Sequence, residues 1–529
     1  MKLNLYEMSL KRKNISRLFI TLFIILLAVF FISKYLIVNK IEDYVENLPS
    51  HIGVTYDDLN FNLFAGSLNL ENVNVTIKGQ TTNEVNAKMA FEAIDIENLS
   101  YLDYVFKDGI TIEVIKLLQP EITYYHNGKV KNESYSSAFK NKLNKAIHID
   151  VFEVNNADIN VLNIENDSLI FASEHLNVKL SSVESNTGKS EELPLTFKDI
   201  TITSEHLKYA ISPFENLDVS SLSIDTENAV FSDIKLKTKY SKSELSKRIE
   251  TERDHYDLSV ASVNIKSYKL DIDTSLTAAF ETKNIVIDKP VFHIYRDKLI
   301  ADDSTRKPLY SKMLRHLDFG LNLEEVTINN AEITYEEHVN EARKPGKLEF
   351  SNLNADIKNM SNIKSESGRT TLNITSDFMK ETPLKVDWNF DVTNVNDEFI
   401  FKADIGLLKA DHLNQFMKPN LNLKLEGELL KTYFTIDGNA NTSIIDLKTD
   451  YDQFDIIILK ENGEEKNKFL SGLINLFVAK DSNDSEDRFR YSDTKTVERD
   501  KTKSVFNFVW KNAKSGLKSA MAGDGEKDN

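Results

Sequence analysis

Residues 321–335 (LNLEEVTINNAEITY) alternate apolar and polar side chains, shift phase once, and alternate again. Counted from Ala331, apolar residues stand ten, eight, five and three places before it (Leu321, Leu323, Val326, Ile328) and two and four places after it (Ile333, Tyr335). Three other positions carry the same frame. Around Pro120 it is filled by Ile110, Ile112, Ile115, Leu117, Ile122 and Tyr124, and around Ala157 by Ile147, Ile149, Phe152, Val154, Ile159 and Val161. Around Pro290 it is filled by Phe280, Ile285, Ile287, Phe292 and Ile294, with polar Thr282 breaking one place. A period of two predicts a strand with one dry and one wet face. The phase shift predicts a β-bulge or short bend, where a proline or small residue interrupts the ladder. Four copies predict a repeating sheet with one apolar face.

The rest of the chain fits around these copies. Leu59, Phe61 and Leu63 alternate, residues 65–67 turn, and Leu68, Leu70, Val73, Val75 and Ile77 resume with a one-residue slip. Residues 39–49, 99–106, 135–145 and 310–317 read as short helices, the last three each preceding a copy. Residues 241–255 (SKSELSKRIETERDH) read as a solvated side helix with opposite charges at helical spacing. The organisation expected is a first β-block over 39–240, this insert over 241–255, and a second β-block over 256–460. In the second block, residues 407–417 suggest a helix or turn. Strands follow at 421–430, 433–436, 443–449 and 455–460. Residues 461–480 hold an amphipathic helix (467–480), 481–504 read as a mobile charged linker, and 505–529 as a terminal amphipathic helix and tail. In the last, Val505, Phe506, Val509, Ala513, Leu517 and Met521 share a face flanked by Lys511, Lys514 and Lys518. That suits either an interfacial membrane helix or a cap on the open end of the sheet.

Residues 18–38 are apolar almost throughout and follow Lys11, Arg12, Lys13 and Arg17. About 20 apolar residues cross a bilayer as a helix. The basic flank predicts residues 1–17 in the cytoplasm and the bulk of the chain outside. The formal net charge of -17 argues against a broad nucleic-acid interface, and the absence of cysteine removes disulfide, Fe–S and thiolate zinc sites. Catalytic motifs are not found. His175 and His206 each follow Ser-Glu, but a tripeptide is not a triad, whose members meet in space. The ten histidines show no metal-ligand spacing, and neither a Walker loop nor a dinucleotide fingerprint occurs. No enzyme activity, metal or cofactor is expected.

The N-terminal anchor, the segment 59–77 (LNFNLFAGSLNLENVNVTI), the recurring strand–proline/alanine–strand units and the run from Phe401 (FKADIGLLKADHLNQFMKPNLNLKLEGELLKTYFTIDGN) to the strand at 455–460 resemble the AsmA-like family of bacterial envelope proteins. Members are similar to bridge-like lipid transfer proteins. The resemblance implies an inner-membrane anchor and a periplasmic, elongated, curled antiparallel β-sheet. Its apolar groove would carry phospholipids between inner and outer membranes and so support outer-membrane integrity. A few short helices and C-terminal amphipathic helices complete the mainly β fold expected. The partners implied are phospholipids, the inner membrane, and outer-membrane or other envelope proteins; nucleic acid is not among them. This chain is short beside the longest members, so a complete single-chain bridge is not implied. Groove-lining candidates are Ile110, Ile112, Ile115, Leu117, Ile122, Ile149, Phe152, Val154, Ile159, Ile285, Ile287, Phe292, Leu323, Val326, Ile328 and Ile333. Membrane-interface candidates are Phe506, Val509, Trp510, Lys511, Lys514 and Leu517. The alternative is a non-catalytic structural or assembly factor, in which the same apolar residues pack against one another in a closed β core.

Overall fold

The computed structural model describes residues 35, 38–43, 45–79, 82–100, 103, 109–129, 146–185, 195–272, 278–363, 368–460, 481–482 and 488–522. Of the expected transmembrane segment 18–38 only Tyr35 and Val38 are among them, and the expected helices at 135–145 and 467–480 lie outside them, as does most of 99–106. Among the described residues no helix is long and apolar enough to cross a membrane. Residues 38–43 are helical, as expected.

The protein is mainly β and forms two compact units. The first comprises Met1–Tyr209 with Ser223–Thr226, the second Ala210–Leu222 with Glu227–Asn529.

In the first unit, β1 (Ile52–Thr55) and β2 (Asp58–Asn62) both pair with β3 (Ser67–Lys78). Strand β4 (Val85–Leu99) lies antiparallel to β3 and, on its other edge, to β5 (Gly109–Leu118) and β6 (Glu121–His126). Strands β5 and β6 are two halves of one path broken at Gln119-Pro120, and both pair in parallel with β7 (Ala146–Asn163). The return is antiparallel through β8 (Leu169–Ser185), which pairs with β9 (Leu195–Thr196) and β10 (Asp199–Tyr209).

The second unit repeats this plan. After β11 (Glu215–Asp225) comes β12 (Asn228–Thr238), antiparallel to β13 (Asp254–Ile272). Strand β13 pairs with both β14 (Ala278–Asp288) and β15 (Val291–Asp297), halves of a path broken at Lys289-Pro290. Both halves pair in parallel with β16 (Gly320–His338), which returns through antiparallel β17 (Gly346–Ser361) and β18 (Thr370–Phe378). The registers agree pair for pair. Leu117 faces Val154, which faces Val178; correspondingly, Ile287 faces Ile328, which faces Ala355.

The backbone repeats as closely. Six corresponding positions are left-handed in both units, with φ between 44° and 58°: Asn72 and Asp233, Asn98 and Ser267, Gln119 and Lys289, Asn156 and Asn330, His175 and Asn352, Ser182 and Asn359. Such residues bend a strand and interrupt its ladder. The same side chains repair the gap in each unit. The Asn156 amide donates to Asn177 Oδ1 (2.9 Å), and the Asn330 amide to Asn354 Oδ1 (3.0 Å). Asn177 Nδ2 then donates to the His175 carbonyl (3.0 Å), and Asn354 Nδ2 to the Asn352 carbonyl (2.9 Å). The chain therefore contains one module twice, β3–β10 and β12–β18.

Several expectations need correction. The sheet structure is mixed, not antiparallel. The four copies of the frame pair as two parallel couples in register, Ile110 beside Ile147 and Phe280 beside Leu321. Parallel neighbours require a long crossover, which residues 298–319 supply in the second unit. The alternation slips twice per copy rather than once. In β16 the first slip lies at Glu324, opposite left-handed Asn359, and keeps register; the second, at Asn330, shifts it. The module boundary falls between Tyr209 and Asn228, ahead of 241–255. In that segment only α1 (Lys242–Ser246) is helical, closed by a Ser241–Glu244 capping box, with Leu245 buried. Asp254 and His255 already belong to β13.

Beyond the modules, the second unit adds β19 (Thr382–Phe390), β20 (Phe399–Ile405), β21 (Leu408–Lys409), β22 (Leu423–Gly438) and β23 (Thr442–Ile458). The strands expected separately at 421–430 and 433–436 are joined in β22, and those at 443–449 and 455–460 in β23, because bulges rather than turns interrupt them. The expected mobile linker is docked instead. It contributes β24 (Arg490–Tyr491) and β25 (Lys495–Glu498), both paired with β23, and buries Ser482, Arg490, Ser492 and Val497. Helices α2 (Tyr310–Arg315), α3 (Ala410–Leu421) and α4 (Val505–Ala522) complete the unit.

A buried carboxylate fastens the approach to α4. Glu252 is 5% exposed and is paired with Lys298 and with Lys503 (3.3 Å). Burial alone would raise its pKa, but Lys298, Arg296 and Lys503 outweigh burial and hold it below the usual carboxylate value. A depressed carboxyl contributes stability above its unfolded pKa of about 4.3, and that contribution is lost as pH falls through the folded value. Glu252→Gln is expected to cost about 1–3 kcal/mol at pH 7. Below about pH 4 the difference from the parent should shrink, as urea melts at both pH values would show.

Candidate functional site

The repeated frame has a geometric purpose. Each slip in alternation coincides with a kink, so apolar side chains on both sides of the kink stay on one face of the sheet. Cross-strand partners share a face, so the registers define columns. In the first unit one column is Leu70, Ile94, Leu117, Val154, Val178 and Ile202. All six are half-buried. The corresponding column of the second unit is Phe231, Val263, Ile287, Ile328, Ala355 and Ile374.

The C-terminal strands offer an internal comparison. There the column Trp388, Phe401, Ile436 and Ile445 runs across β19, β20, β22 and β23. All four are buried, Ile436 at 0% and Ile445 at 1% exposure. Phe508 of α4 and Leu309 and Tyr310 around the start of α2 pack into the same core, with the Tyr310 and Trp388 rings 5.4 Å apart. Helix α3 seals a second core around Met417, Leu425, Leu429 and Tyr451. Among the described residues, α3 and α4 lie on β16–β17 and β21–β25.

The groove-lining candidates fall where this architecture places them. Ile110, Ile115, Leu117, Ile122, Phe152, Val154, Ile159, Ile285, Ile287, Phe292, Leu323, Ile328 and Ile333 are half-buried, while Ile112, Ile149 and Val326 are buried. Sequence reasoning missed their partners on the neighbouring antiparallel strands. Leu270 faces Phe280 and is 52% exposed; Ile94 and Ile96 face Leu117 and Ile115. The signal was present in β4 and β13, but small and polar residues dilute it there. In the second unit the face ends in a polar belt. Arg296 holds Asp254 by two hydrogen bonds (2.6 and 2.7 Å), and Tyr335 donates to Glu337 (2.7 Å). Burial, then Asp254, pushes the Tyr256 hydroxyl up to about 12.

The membrane-interface candidates divide. Val509 and Leu517 pack against the C-terminal core, while Phe506, Trp510, Lys511 and Lys514 are exposed. The buried stripe of α4 is therefore rotated from the one expected. It runs through Val505, Phe508, Asn512, Gly516 and Ala520, and Ser443 Oγ donates to the buried Asn512 Oδ1 (2.9 Å). His175 and His206 serve the backbone: both are left-handed kink residues, and the Ser173 and Ser204 hydroxyls preceding them bond to each other at 2.5 Å. No cluster of His, Asp or Glu able to hold a metal occurs among the described residues. No known protein-family model matches this chain, and no curated protein matches it.

Proposed function

We propose that this chain is an AsmA-like envelope protein, anchored in the inner membrane through residues 18–38, whose apolar sheet face carries phospholipid acyl chains through the periplasm towards the outer membrane. One observation supports this above others: the column from Leu70 to Ile202 is apolar across six strands, yet none of its members is buried. A contiguous apolar face left open to this degree is a binding surface. Each CH₂ placed on it gains about 0.8 kcal/mol, and the gain is nearly uniform from strand to strand. A lipid held this way is retained without a polar pocket and moves along the face without a large barrier. For the C-terminal part a different reading is favoured. Its buried column is a closed core, so β19–β25 act as structural support or as a docking element for other envelope proteins.

The test is photo-crosslinking in cells. A photoreactive residue at Ile328 is expected to yield phospholipid adducts. One at Glu325, which lies on the opposite face paired with Lys358 (3.2 Å), is expected to yield none. Protein adducts alone, or equal labelling at both sites, would overturn the lipid reading and favour the closed-core assembly factor.

A further inference from the structure

Helix α4 has two unlike faces. One is sealed against β22–β25; the other presents Phe506, Trp510, Lys511, Lys514 and Lys518 in a continuous exposed row. Phe506 is 61% and Trp510 40% exposed, one helical turn apart. The helix contains no Asp or Glu, although the whole chain carries a net charge of -17. Lys511 leans on the Glu498 carbonyl (2.9 Å) and acts on nearby Asp500. Among the described residues Lys514 and Lys518 have no ion-pair partner. The nearby Asp493 is already engaged by Ser519 (2.9 Å) and Lys495 (3.2 Å).

We infer that this row is a docking face for an anionic lipid surface, a second membrane contact separate from residues 18–38. Two aromatic rings at one end of a lysine row match the layering of a bilayer interface, with rings at headgroup depth and ammonium groups at the phosphates. A second copy of this chain is a poor occupant, because two bodies of charge -17 repel. An acidic protein would satisfy the lysines but give no role to two exposed rings. The inference does not require lipid on the apolar sheet face.

The test uses the full chain reconstituted in phosphatidylcholine vesicles, challenged with acceptor vesicles whose lipids carry brominated chains. Trp510 is the exposed one of two tryptophans, since Trp388 is buried, so quenching reports on α4. Brominated phosphatidylglycerol acceptors are expected to quench and blue-shift its emission; brominated phosphatidylcholine acceptors are not. The double variant K514E/K518E is expected to lose vesicle association by about tenfold or more, with an unchanged urea midpoint. F506S should weaken quenching while leaving the dependence on anionic lipid in place. No quenching by the anionic acceptors, equal quenching by both, or an unaltered K514E/K518E variant would overturn the inference. So would a Trp510 shift that depends on protein concentration without acceptors, which would make the occupant a second copy. Each of these outcomes leaves the Ile328 crosslink free to succeed or fail by itself.

Discussion

Aspartate in place of Ile436 is expected to unfold the C-terminal core, at a cost of about 4 kcal/mol or more. Ile436 is fully buried between its cross-strand partners Phe401 and Ile445, in the apolar core that also takes Phe508 of α4. A carboxylate there loses its hydration and gains no partner. Ile328→Asp makes the same chemical change on the apolar face of the module, where the native side chain is only half-buried. Its expected cost is about 1–2 kcal/mol, because the carboxylate keeps part of its water. Urea denaturation of the two variants side by side measures the contrast. A cost for Ile328→Asp as large as for Ile436→Asp would mean that the face is packed shut, and the lipid reading would fall with it.

Gly427→Ala is expected to destabilise the same unit by about 2–4 kcal/mol. Gly427 sits at the bulge between Glu426 and Glu428, with φ at 89°. A Cβ there would stand 2.2 Å from the Gln453 carbonyl oxygen and 2.7 Å from that of Asp452, both backbone atoms that cannot step aside. Gly368 separates strain from clash. Its φ is 78°, but a Cβ would meet nothing within 4 Å, so Gly368→Ala is expected to cost only about 1 kcal/mol. A lower urea midpoint with an unchanged slope is the expected signature of both. Equal costs at the two glycines would show that backbone conformation alone, and not the crowding at Gln453, governs β22.

What the sequence made legible was local. The frame around Pro120, Ala157, Pro290 and Ala331 announced strands, their dry face and an interruption, because alternation and its slips are written within a dozen residues. Partner choice was not legible. Alternation is the same in parallel and antiparallel strands, and Ile110 meets Ile147 only because the chain between them crosses back. The slip at Glu324 was masked because it keeps register: Glu324 lies opposite left-handed Asn359, and both strands turn together. One clue to the kinks was readable in principle, an asparagine two places after a left-handed residue, as at Asn74, Asn177 and Asn354. The segment 488–503 looked like a linker because polar side chains dock it. Arg490 donates to the Ala520 carbonyl, and Ser492 Oγ accepts from the Leu447 amide. Hydropathy is blind to such bonds. The buried stripe of α4 was misplaced for the same reason, since Asn512 and Gly516 lie at its centre.

The module has a consequence for size. Its boundary pieces differ from its interior: β1 and β2 begin the series, and β19–α4 end it in closed cores, whereas the stretch between is one pattern used twice. Proteins assembled in this way grow by whole units between fixed ends. A third copy inserted after Phe378 would need no new cap and would bring its own apolar face, six strand widths or roughly 29 Å across. The number of modules thus sets how much apolar strand width a chain of this kind carries, a quantity that duplication alone can change.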